Sequence, residues 1–535
     1  MASDVTAQLR SMLRESSHAV VSQGLELLES LRGTPDGDVV CEEVFSLAVA
    51  RVSGGWLILS LRPDAQDHFP LRDVLWGWLC GQPGWLGGLL AAHGVVKLSM
   101  PCLGLAAFPA HAGLERLTAL RLSGSTQLND IHALSALSQL TSLQIEDASS
   151  IADSSPLSAL TALRELLLDG STLVDLAPLV GAVALERLCL EKSCELISLA
   201  GAEHFPVLRD LSLFGCENLT SVAALDGTPD LWRLDLSDCQ ALLEFFDAAR
   251  VSGLEWLELS GIEHFTDTDF LAPLRRLRHL RVAGCGITGL GGLAGMAALR
   301  SLLVTECDSL TDVSALSGLA GLEILDLSAN PKLVDASALS GLTALRALDL
   351  HGCERLEDIS ALEGLVALQH LQLDHLPIDT VQPLSALVSL EVLSLKHCRS
   401  LGSLEGLAGM AALRRLDATD CPLLTSLRGL EGAQGLRAVL LRRCTALRDL
   451  SGLSGSASLE VLRLSGASSL RSLSGLAGLA EVRMLELDGC VLLEDVSVLV
   501  GMTRLMTLSV LDCFLLRHRT LQSVQSALPG CQVIS

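Results

Sequence analysis

Residues Leu345–Ala367 read LRALDLHGCERLEDISALEGLVA. The first part alternates. Leu348 and Leu350 are spaced by Asp349 and preceded by Ala347, the period-two pattern of a strand with one buried face. From Leu356 the period changes. Leu356, Ile359, Leu362 and Leu365 recur every three residues, which suits a tight 3₁₀ or irregular return and not a long α-helix. One strand and one return make a thin rung that cannot bury its apolar side alone, so rungs must stack.

The same L-x-x-L-x-L frame recurs from Val95 to Leu528 at intervals of 22 or 23 residues. Counting the frame start as position one, rungs begin at Leu208, Leu254, Leu345, Leu368, Leu390, Leu413, Leu436 and Leu459, among others. Residues 95–535 are therefore predicted to be a solenoid of about twenty rungs including its C-terminal cap. Its parallel sheet lies on a concave side and its short returns on a convex side. Composition agrees. Apolar residues are 49% of the 535, aromatics only 3%, and tyrosine is absent. A core of Leu, Ala and Val suits many thin, similar layers better than one thick globule.

These residues resemble the leucine-rich-repeat family, whose consensus is L-x-x-L-x-L-x-x-N/C-x-L. The return Asp312-Val-Ser-Ala-Leu316 resembles that of the short bacterial internalin-like class. The resemblance covers about four-fifths of the chain and implies an α/β solenoid, a curved right-handed superhelix. Two features differ from the internalins: no export signal or wall anchor is legible, and position nine is often Cys instead of Asn.

That frame accounts for most of the sixteen cysteines. Cys216, Cys239, Cys285, Cys307, Cys353, Cys398, Cys421, Cys444, Cys490 and Cys513 all occupy position nine. The resemblance implies that this side chain points inward and bonds backbone groups. A thiol is a small hydrophobe with a weak donor and suits the task, so these cysteines are expected to be buried and reduced.

Residues 1–94 do not follow the repeat and are predicted to be a helical N-terminal cap or an accessory module. Helices are expected at Val5–Arg14, Ala19–Leu31, Asp38–Val52 and Phe69–Cys80, with Ser16 and Ser17 as candidate caps of the second. The run Trp56–Leu61 is too short to span a bilayer. At the other end Thr520–Leu528 reads as a short helix, followed by a last strand at Cys531–Ile534.

The net charge of −24 disfavours phosphate backbones, so no nucleic-acid partner is expected. No membrane partner is expected either. A secretory leader is not legible at the N-terminus, and a cytoplasmic location is the expectation. Arginine far outnumbers lysine, which occurs only at Lys97, Lys192, Lys332 and Lys396. With abundant Ala, Gly and Leu, that is the bias of a GC-rich bacterial genome.

No P-loop, G-x-S-x-G, H-E-x-x-H or G-x-G-x-x-G fingerprint survives in context. No enzyme activity, cofactor or metal is expected. Positions three, five, seven and eight of each rung should face outward from the sheet. There the sequence gathers His351, His370, Asp374, His375, Lys396 and His397 on successive rungs, followed by Arg415 and Arg442. Phe214 and Trp256 are the large aromatics placed to anchor a partner. These ten residues are the candidate partner-binding set. Parallel rungs set like positions in a row ~4.8 Å apart, which does not converge imidazoles on a metal, and Lys396 would repel a cation. The leading reading is a scaffold that binds another protein through its concave face. The alternatives are a regulatory or targeting subunit of an enzyme, and a secreted internalin-like host-interaction factor.

Overall fold

The computed structural model describes residues 2–32, 34–45, 48–61, 72–82, 85–110 and 112–535. The chain forms two compact units, Met1–Glu258 and Leu259–Ser535. The division falls inside the rung that begins at Leu254, so each unit is itself an array of repeats.

The first unit opens with three helices, α1 (Ala2–Leu13), α2 (His18–Ser30) and α3 (Pro35–Phe45). Leu9, Leu13, Val21, Leu25, Leu28, Val40, Val44 and Leu75 form one buried cluster among them and α4 (Arg72–Cys80). A further helix, α5, spans Trp85–His93. Ser17 takes the extended cap conformation before α2, but its side chain caps nothing. The start of the helix expected from Phe69 lies outside the described residues.

One prediction fails here. The helix expected over Asp38–Val52 ends at Phe45, and Ala48–Ser53 is a strand, β1. It turns through Gly54 and Gly55, both with positive φ, into β2 (Trp56–Leu61), its antiparallel partner. The local chemistry explains this. Val49 and Val52 are β-branched, the Gly-Gly pair is a two-residue hairpin signal, and WLILSL alternates so that Leu57 and Leu59 are buried. The cap is thus helical plus a hairpin, and the hairpin joins the repeat sheet. β2 runs parallel to β3 (Lys97–Pro101), with Leu57 beside Leu98. Trp76 is fully buried behind them and its indole N–H donates to the Pro101 carbonyl at 2.8 Å. From β3 the strands pair in sequence order and in parallel to β10 (Trp256–Glu258).

In the second unit the parallel strands run from β11 (His279–Ala283) to β22 (Gln532–Ile534). A helix, α6 (His518–Ala527), precedes the last strand. The quoted rung is typical. Leu345, Leu348, Leu350, Leu356, Ile359, Leu362 and Leu365 are all buried, and Ser360–Gly364 is a 3₁₀ turn. Returns of the form Asp-x-Ser begin with the aspartate accepting the N–H two residues on, as Asp312 does from Ser314 at 2.9 Å. The Ser314 hydroxyl first, and then that backbone bond, hold the Asp312 carboxyl below its ordinary range, because both stabilise the charged form.

Candidate functional site

The strand of each rung ends in one repeated backbone event. Position eight has positive φ in every rung from Leu117 to Leu505. In most of these rungs its N–H donates to the position-seven carbonyl of the next rung, as His375 does to Lys396 at 2.7 Å, His397 to Thr419 at 2.9 Å and Asp420 to Arg442 at 2.7 Å. The left-handed turn then throws position nine inward. There the Cys398, Cys421 and Cys444 thiols each donate to a carbonyl on the preceding rung, at 3.2, 3.1 and 3.1 Å. Asn330, the asparagine the family consensus favours at this position, makes the same bond through Nδ2 to the Val304 carbonyl at 2.7 Å. None of the sixteen cysteines is in a disulfide, and the position-nine set is buried except Cys513, which is half-buried. Burial pushes their thiols up, to about 11 for Cys353 and about 12 for Cys398 and Cys444.

Position eight is glycine in many rungs, where left-handed backbone carries no Cβ penalty. On four consecutive rungs it is not: His375, His397, Asp420 and Arg443 all adopt it. These side chains form a file. The His375 and His397 rings stack at 4.4 Å with planes 23° apart, and His351 stands 5.6 Å from His375 on the other side. His397 Nδ1 lies 2.9 Å from Asp420 Oδ2, which also meets Arg443 at 3.4 Å. The His375 imidazole is held below its ordinary range by burial first, then by its two histidine neighbours, while Asp374 and Glu354 oppose the shift.

Beside the file lies a second group. Asp374 and Asp417 are buried on the sheet face, and Lys396 Nζ sits 3.3 and 3.9 Å from their carboxylates. Between them the buried Ser394 hydroxyl has no hydrogen-bond partner among the described residues. Arg415 approaches the same Asp417 at 3.8 Å. Arg442 reaches across two rungs to Glu486 at 2.6 Å, which Arg463 also meets at 3.3 Å. The cations therefore already have carboxylate partners: Arg415 on its own strand, and Lys396 and Arg442 one and two rungs away, where the linear pattern hid them.

Of the ten candidates, the structure brings His351, His375 and His397 together, with Asp374 and Lys396 alongside. His370 stands apart from the file, exposed at position three of its rung between Ala347 and Val392. Phe214 and Trp256 belong to the first unit. Phe214 is half-buried, and Trp256 is engaged: its N–H donates to Glu258 at 3.0 Å and Arg233 lies 5.5 Å from its ring. Trp232, which the frame placed at position two, is the more exposed of the two tryptophans. Asp417, Asp420, Ser394 and Glu486 were missed. The frame offered a signal for them, since all occupy outward positions five or eight.

Among the described residues, one set of three could offer metal-ligating atoms within 4.8 Å of one another: Asp169, Cys189 and Glu191. The frame places them at outward positions seven, five and seven of adjacent rungs. Burial, then the neighbouring Glu191 and Glu146, raises the Asp169 carboxyl, and burial lifts the Cys189 thiol to about 12. A thiol held protonated is a poor ligand.

No family model and no curated protein matches the chain. Solved structures do. A leucine-rich-repeat protein of Leptospira interrogans aligns over 78% of this chain and 95% of its own at 18% identity, with a TM-score of 0.52. An internalin of Listeria monocytogenes, inlF, aligns over 62% of this chain and 97% of its own at 23% identity, with a TM-score of 0.49. The fold is that of the leucine-rich-repeat proteins.

Proposed function

We propose that the chain is a scaffold that binds another protein through the outward face of its second unit, over the rungs from Leu345 to Leu436. The observation that carries this reading is the run of four non-glycine residues at the left-handed position. A side chain with a Cβ is disfavoured there by roughly 1 kcal/mol, and glycine would satisfy the core equally well. Four successive rungs nevertheless hold imidazole, imidazole, carboxylate and guanidinium in one file. Preordered on a rigid sheet, such a file loses little conformational entropy on binding. The paired cations beside it argue against simple attraction of an acidic patch. The imidazole faces and edges are the groups left to be recognised, so the partner surface supplies hydrogen-bond acceptors or aromatic rings.

The thiol content fits a reducing compartment, where unpaired cysteines persist, and we place the protein's work there. The test is affinity capture with the unaltered chain and with a His351→Ser, His375→Ser, His397→Ser variant that leaves the buried leucines alone. A bona fide partner, once purified, should lose at least about tenfold in affinity, or about 1.4 kcal/mol. Affinity unchanged within twofold, with folding intact, would overturn the assignment of this face.

A further inference from the structure

The hairpin strand β1 (Ala48–Ser53) is the outermost strand of the first unit's sheet. It pairs with β2 alone among the described residues. In a hairpin with a two-residue loop the residues flanking the loop form a hydrogen-bonded pair. Ser53, Arg51 and Val49 therefore bond to β2, and the N–H and C=O groups of Ala48, Ala50 and Val52 point the other way, along an edge that no other described strand pairs with. Val49 and Val52 are 40% and 44% exposed. Arg51 is the only charge on the strand, and no bulge or proline interrupts it. Such an edge is a template for another strand.

We propose that β1 is an interface for a second copy of this chain, the two β1 strands pairing antiparallel about a two-fold axis that passes between the paired Ala50 residues. The register follows from the pleat. Val52 lies opposite Leu57, and Ala50 opposite Leu59, so Ala48, Ala50 and Val52 share the face of two buried leucines while Val49 and Arg51 share the other. A two-fold axis normal to the sheet keeps faces matched, which leaves registers centred on a residue. Centred on Ala50, every outward-bonding residue meets another: Ala48 meets the second copy's Val52, and Ala50 meets its counterpart. That joint is apolar throughout on one face, and on the other each Arg51 stands opposite Val49. Centred on Arg51, Ala48 loses its strand partner and two guanidinium groups stand face to face, which is unfavourable. Hydrogen bonding and charge select the same register.

The mass of the full chain in solution, by light scattering after size exclusion, should be twice the 56.5 kDa of one copy. Ala50→Pro removes only an N–H that points away from β2, a position where an edge strand tolerates proline. It should return the protein to one copy with unchanged circular dichroism. Ala50→Glu, which opposes two carboxylates at the axis, should do the same and serves if the proline variant does not fold. The register has its own test. A hydrogen-bonded antiparallel pair sets its Cα atoms ~5.5 Å apart, within disulfide range. Ala50→Cys should therefore cross-link two copies under mild oxidation, and Arg51→Cys should not exceed the unaltered chain. A single-copy mass for the unaltered protein, a dimer that survives both Ala50 variants, or stronger cross-linking through position 51 than 50 would each overturn the proposal.

Discussion

The rungs that begin at Leu368 and Leu390 and those that begin at Leu459 and Val482 are built alike inside and differently outside. Leu393 and Leu395 in the first pair, and Leu462 and Leu464 in the second, are fully buried. The bond from position eight to the next rung is made in both, by His375 at 2.7 Å and by Gly489 at 2.8 Å. Yet position eight is His375 and His397 in one pair and Gly466 and Gly489 in the other, all left-handed. The turn is therefore imposed by the ladder and by the need to bring position nine inward. It is not chosen by the residue that occupies it. Glycine meets the requirement freely, and histidine meets it against its own preference.

The largest expected effect breaks the comparison if the two regions are not equivalent inside. Leu393→Ala and Leu462→Ala should each lower unfolding stability by about 2–5 kcal/mol, as buried leucine truncations do, measured by urea denaturation. A loss confined to one of them would show that the cores differ. A smaller effect sharpens the contrast outside. Gly466→Ala places a Cβ 3.3 Å from the Arg443 backbone at a φ of 81°, and should cost about 1–2 kcal/mol. His375→Gly should be neutral or stabilising by up to about 1 kcal/mol. Effects of the same sign at both positions would contradict the account of the turn.

The smallest effect is in pH. The folded state holds His375 below its ordinary value, so on acidification the unfolded chain takes up the proton first. The contribution of His375 is then complete above about pH 6.5 and is lost as pH falls through its lower folded value. The denaturation midpoint of the unaltered protein should fall more between pH 7.5 and 5.5 than that of His375→Asn. The rungs of Leu459 and Val482 carry no histidine and so provide no such dependence. Equal slopes in the two proteins would remove His375 as the source of that dependence.

Much of the fold was legible because a repeat states its rule many times. The leucines at positions one, four and six, the three-residue period of the returns and the phase of Cys353 and its equivalents each follow from spacing within one rung. The N-terminal hairpin was not legible in the same way. The helix expected over Asp38–Val52 runs on into the strand that begins at Ala48, although Gly54-Gly55 between alternating segments is a signal for a turn. That region states its pattern only once, and helix and strand compete closely over so few residues.

The candidate site divides along the same line. The sequence by itself determined which side chains stand on the outward face and in which order, since the phase of the frame assigns each position a direction. It set His375 and His397 on adjacent rungs at the same position, and from that their proximity followed. Only the tertiary structure decided how those side chains are used. Lys396 turned to Asp374 and Asp417, Arg442 passed over one rung to Glu486, and Trp256 closed on Glu258 and Arg233. Long side chains on rungs ~4.8 Å apart have several acceptors within reach, and the choice among them rests on burial and rotamer packing across neighbouring rungs, which no single repeat encodes.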